Sequence, residues 1–292
     1  MPALLTILLP LLAQAGVIGA APGNGPALPQ APIALPQRKA SALAPVGRAP
    51  SPSGSLQSCL RAAQDTPDDA IDLADAWLLA AKTMTMTERS GASQCKALAL
   101  STQENWAEAA VQFAAARDQT PASEPGERAR LGALAGNALV AAGAKAPGLT
   151  ALNQAERDAQ AAGDTKQRGE LQIGRARALV TLGRLAEAGA ALSAARTQAP
   201  GDYQAWLLSA TLSRRQNRLA DAQQQIERAA ALMPVDPVVG VEAGVIAVLS
   251  GRDAAARRSW QSVIAVAPAS SAAKTAQGYL DQLGPAGASA KP

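Results

Sequence analysis

From about residue 55 to residue 283, apolar side chains recur at intervals of three and four, and no stretch sustains the alternation of a half-buried strand. Short Gly- or Asn-containing breaks separate the periodic segments, and Pro200, Pro234 and Pro268 fall just past the ends of expected helices. That rhythm predicts an all-α chain of helical hairpins in series. A second regularity lies on top of it. Ala188, Ala222 and Ala256 follow one another at a step of 34 residues, as do Leu192, Ile226 and Trp260, and again Pro200, Pro234 and Pro268. Gly183, Asn217 and Gly251 keep the same step inside each hairpin, at a turn where a left-handed backbone is expected.

The first 54 residues break the pattern. An apolar run from Leu4 to Leu12 is followed by Ala13, Gln14 and Ala15, then by small residues at Gly19, Ala20 and Ala21. Residues 1–20 therefore read as a secretory signal cleaved after Ala15 or Ala20, or alternatively as an uncleaved membrane anchor. No basic residue precedes the run, and Arg38 and Lys39 are the first to follow it. Residues 21–54 are rich in Pro, Ala, Gly and Ser and read as a disordered linker, and residues 284–292 as a short tail of the same character.

The repeated columns resemble the tetratricopeptide repeat family, a helix-turn-helix unit with small residues at fixed places, one large apolar residue and a closing Pro. The fitting units are Ala176, Gly183, Ala188, Leu192, Ala195 and Pro200; Trp206, Ala210, Ala222, Ile226, Ala229 and Pro234; and Gly244, Gly251, Ala256, Trp260 and Pro268. An earlier unit reads Ala97, Leu100, Ala109, Phe113, Ala116 and Pro121. Residues 127–162 offer a good first helix with Gly136 and Gly143 in place, followed by a second helix expected to begin late. The resemblance implies a right-handed superhelical solenoid of about six hairpins over residues 55–283, closed by a capping helix from about Ser270 to Leu283. Small residues let neighbouring helices approach while the large one fills the remaining gap.

The same resemblance implies where a partner would bind. Ligand contacts in this family come from the concave wall of first helices, which places Arg130, Asn137, Arg177, Gln204, Thr211, Arg214 and Arg215 in the groove, with Glu170 and Glu242 beside them. Arg and Asn there would recognise carboxylates or backbone amides of an extended peptide. The Lys and Asn set of the carboxylate-clamp members is not reproduced, so a receptor for chaperone tails is not implied. Val241, Val245, Val248 and Leu249 leave the last unit apolar and in need of a cover. Cys59 and Cys95 fall in first helices of neighbouring hairpins, so an exported chain is expected to join them in a disulfide.

Composition narrows the function. Aromatic residues make up only 2% of the 292, and the net charge of +4 is scattered along the helices, so nucleic acid is not an expected partner. There is no histidine, which removes the commonest general base and metal ligand together. No phosphate loop or nucleophile elbow is present, and Asp68, Asp69, Asp72 and Asp75 sit where carboxylates complement a helix start. The expectation is therefore a non-catalytic scaffold without cofactor or metal, periplasmic or otherwise exported, that binds a protein or peptide partner. The alternative is a membrane-anchored structural or assembly subunit of a cell-envelope complex, which would touch the membrane only through the uncleaved N-terminal segment.

Overall fold

The structure, a computed structural model, describes residues 52–80 and 84–284. Among these residues there are thirteen helices and no strand. They are α1 (Pro52–Asp65), α2 (Pro67–Leu79), α3 (Met86–Thr102), α4 (Trp106–Gln119), α5 (Pro125–Ala141), α6 (Lys145–Ala162) and α7 (Thr165–Thr181). They continue as α8 (Leu185–Gln198), α9 (Tyr203–Arg215), α10 (Leu219–Leu232), α11 (Pro237–Leu249), α12 (Asp253–Val266) and α13 (Ser271–Leu283). The expected signal or anchor, most of the linker and the tail lie outside the described residues, although Pro52–Gly54 already belong to α1. None of the described helices is long and apolar enough to cross a membrane.

Each odd-numbered helix packs on the next even-numbered one, and the pairs stack in chain order. The turn inside a pair repeats one hydrogen-bonded device. The N–H of Ala144 donates to Leu139, Arg184 to Leu179, Arg218 to Ser213 and Arg252 to Ala247, at 2.8–2.9 Å, closing each first helix around a left-handed residue. That residue is Gly143, Gly183, Asn217 or Gly251, with φ of 85°, 75°, 58° and 71°. First helices start from side-chain caps: Thr85, Asp164, Asp202, Asp236 and Ser270 accept from backbone N–H groups of α3, α7, α9, α11 and α13. The helix α6 begins at Lys145, immediately after its turn, and not late as the sequence suggested. Pro147 is tolerated because it falls in the first turn, where its missing N–H has no intrahelical partner to lose.

The aligned columns form the core. Ala188, Ala222 and Ala256 are fully buried, and Leu192, Ile226 and Trp260 are 2–3% exposed. Close approach is most demanding at Gly244, where a Cβ would lie 2.1 Å from Trp260 Nε1, so only glycine lets α11 and α12 meet there. At the C-terminal end α13 lays Tyr279 against Trp260, with ring centroids 5.1 Å apart, and covers Val241, Val245, Val248 and Leu249. The apolar end anticipated from those residues is thereby closed within the chain.

Burial raises the Tyr279 phenol above its ordinary pKa, with Arg214 opposing and Glu242 reinforcing the shift. The folded state therefore holds that proton more tightly than the unfolded chain. The stabilisation is complete below the ordinary phenol value of about 10 and is lost as pH rises through the higher folded value. Alkaline titration followed by circular dichroism is expected to loosen the C-terminal end, and Tyr279→Phe to remove that pH dependence.

Candidate functional site

Along one wall of the stack α5 touches α7, α7 touches α9, α9 touches α11 and α11 touches α13, whereas no pair of described second helices comes as close. First helices consequently line the inner wall. Between α5 and α7 this wall opens into a cavity of about 240 Å³ floored by Ala133, Leu134 and Leu171, with Arg130, Asn137, Gln167 and Glu170 around it. Two of the sequence-predicted residues, Arg130 and Asn137, thus meet at one place.

Their states differ. Arg130 is held by Glu127 one turn earlier, through Nε to Oε2 at 2.7 Å and Nη2 to Oε1 at 2.6 Å. This pair is half exposed, so exchange for a partner's carboxylate costs little. Asn137 is exposed and its side-chain amide has no hydrogen-bond partner among the described residues. It has room because Gly174 faces it, where a Cβ would come within 3.1 Å of Asn137 Oδ1. Gln167 donates through Nε2 to the carbonyl of Gly126 at 2.9 Å, while its Oε1 is buried and accepts nothing. Gln167 was not singled out from the sequence, yet it stands one turn before Glu170 on α7, and helical period alone puts both on one face.

Further along the wall, Arg177 Nη2 donates to Gln204 Oε1 at 2.9 Å, bridging α7 to α9. Burial lowers the Arg177 pKa, opposed by Asp202 and Tyr203, so this cation is partly desolvated in advance of any contact. Thr211 spends its hydroxyl on the Leu207 carbonyl of its own helix at 3.1 Å. Arg215 projects outward into solvent.

No family model and no curated protein matches the sequence. Solved structures do resemble it. PilW, a widely conserved type IV pilus biogenesis factor, superposes with a TM-score of 0.61 over 76% of this chain and 96% of its own, at 16% identity. PilF of Pseudomonas aeruginosa gives 0.60 over 78% and 96%, at 14% identity. A tetratricopeptide repeat protein from Parabacteroides merdae gives 0.55 over 78% and 86%, at 13% identity. The fold is that of a tetratricopeptide-repeat solenoid.

Within that tetratricopeptide fold one predicted groove residue has to be withdrawn. Arg214 does not face the groove. Its side chain is 1% exposed and forms a forked ion pair with Glu242 of α11, which is 6% exposed, through Nε to Oε1 at 2.7 Å and Nη2 to Oε2 at 3.2 Å. Arg215, the next residue, is exposed, so the two neighbouring arginines differ in burial. Glu242, expected beside the groove, is withdrawn with it. At the other end of the tetratricopeptide stack Cys59 of α1 and Cys95 of α3 are joined by a disulfide, with Cα atoms 5.9 Å apart. Among the described residues no group of three or more Cys, Asp or Glu is placed to hold a metal ion.

Proposed function

We propose that this chain is a non-catalytic interaction scaffold that holds an extended segment of a partner protein along its first-helix wall. One observation carries the reading: the cavity between α5 and α7 presents the free amide of Asn137 beside Arg130 and Glu170 over an apolar floor. Gln167 borders the same cavity, with its Nε2 committed to the Gly126 carbonyl and its Oε1 buried. Asn137 offers both a donor and an acceptor to the same strand of backbone. Because α5 and α7 are already packed, ordering costs fall mainly on the partner segment. The tetratricopeptide fold fits such a role, since stacked rigid repeats preform a long curved surface.

We further read the chain as exported to an oxidising compartment such as the periplasm. The disulfide supports this, because such bonds persist where the glutathione and thioredoxin systems do not act. The double variant Asn137→Ala/Gln167→Ala tests the groove. Retention of the partner on immobilised protein is expected to fall about tenfold or more, the scale of one or two lost hydrogen bonds at a desolvated site. Thermal unfolding is expected to change little, as neither side chain belongs to the packed core. Undiminished retention overturns the groove assignment.

A further inference from the structure

A second cavity lies on the opposite wall. The second helices diverge there, and between α8 and α10, over α9, they leave a space of about 380 Å³. That volume is within the ordinary range of small-molecule sites. Leu185 borders it as the partly exposed apolar side chain over the buried Leu192 and Leu212, and Arg196 and Arg218 are among its lining residues.

The charges do not cancel. Arg218 is paired with Asp221, Nη1 to Oδ2 at 3.2 Å. Arg196 has no carboxylate within ion-pair distance among the described residues and instead lies over the Trp206 ring, 5.2 Å from its centroid. This contact holds the cation near the ring while its N–H groups have no acceptor among the described residues. Burial and the neighbouring Arg218 lower the Arg196 pKa, partly offset by Asp221, which places all three groups in one field. Two cations and one anion leave a single positive charge at the site.

The space is also kept open at a cost. Gly189 stands inside α8, where glycine is a poorer helix former than alanine. A Cβ on it would meet only Leu212 Cδ2, at 3.8 Å, an ordinary contact. Packing therefore does not demand glycine here, in contrast to Gly244. One 34-residue step on, and one more, the same place is filled by Gln223 and Arg257, long side chains that would occupy such a space. Ser213, also lining the cavity, donates to Gln225 Oε1 at 2.9 Å, which leaves the Gln225 amide as a further donor.

The geometry points to a binding site for a small amphipathic monocarboxylate, its carboxylate between Arg196 and Arg218 and its aliphatic body on Leu185, Leu192 and Leu212. A net single charge matches a carboxylate rather than a phosphate dianion, and the Arg196 guanidinium offers the forked donors a carboxylate takes, while Arg218, donating to Asp221 and through Nη2 to Gln216 Oε1 at 2.6 Å, adds its charge. The site is separate from the first-helix groove and does not depend on it.

Calorimetric titration of the full chain with hexanoate tests this, with hexanol and hexylammonium as neutral and cationic probes of the same length. One saturable equivalent of hexanoate is expected, with neither control competing. Gly189→Leu, which fills the space with a better helix former, is expected to bind hexanoate at least about tenfold more weakly while melting no lower. Arg196→Gln is expected to weaken it by a similar factor, the scale of a lost charge-assisted hydrogen bond. Absence of saturable hexanoate binding overturns the proposal. So does equal binding of hexanol, or a Gly189→Leu protein that binds as the parent does. The loss of partner capture in Asn137→Ala/Gln167→Ala is read separately and is not expected to follow any of these outcomes.

Discussion

Arg214→Ala is expected to lower the unfolding free energy by about 3–5 kcal/mol, the cost of leaving one member of a buried ion pair uncompensated. Glu242, 6% exposed, would then be a buried carboxylate with no other cation within ion-pair distance among the described residues. The companion experiment separates charge from packing. Replacing both partners together, Arg214→Met with Glu242→Leu, is expected to restore most of the loss, because a well-packed apolar pair of similar volume removes the desolvation penalty. Denaturant melts of the two single variants and the double variant give the comparison. Hydrogen exchange is expected to place the damage in α9 to α13, since each repeat leans mainly on its neighbours. Equal stability of Arg214→Ala and the parent chain would contradict the burial of the pair.

Removal of the disulfide is the second large effect. Cys59 and Cys95 are 36 residues apart, and the chain-entropy account gives about 4 kcal/mol for closing such a loop. The loss should be local. The bond ties α1 to α3 within a small cluster of Ala63, Ala70, Ala74 and Ala99, side chains that bury little apolar area of their own. Reduction, or Cys59→Ser with Cys95→Ser, is expected to raise amide exchange through α1 and α2 while α9 to α13 stay protected. Uniform loss of protection along the chain would show that the first hairpin is coupled to the rest more strongly than nearest-neighbour packing provides.

Much of this architecture could be read from spacing alone, because a helical repeat writes its packing into columns. The step linking Ala188, Ala222 and Ala256 marks fully buried positions, and the step linking Gly183, Asn217 and Gly251 marks the left-handed turns. The start of α6 departs from the expectation of a late second helix: it begins at Lys145, and Pro147 in its first turn costs no intrahelical bond. The site was harder. A charged residue on a helix gives no sign of which way it points, so Arg214 and Arg215 looked equivalent. The columns hold a hint: one step before and after Arg214 stand the partly buried Val180 and Val248, an apolar column. Gln167 and the outer-wall cavity leave fainter traces, the helical period that sets Gln167 beside Glu170 and the small Gly189 in the column of Gln223 and Arg257. A missing hydrogen-bond partner and an unfilled space are properties of the assembled neighbours and not of any single residue.

The central claim is that a partner lies along the first-helix wall. The most direct measurement puts a photo-crosslinking residue at Asn137 on that wall and, in a second protein, at the exposed Gln224 on α10 of the outer wall. Each full chain is then irradiated in its native host and its adducts are mapped by mass spectrometry. A discrete partner peptide joined at Asn137 and absent at Gln224 is the result this account predicts. The same partner joined at Gln224 and absent at Asn137 would contradict it.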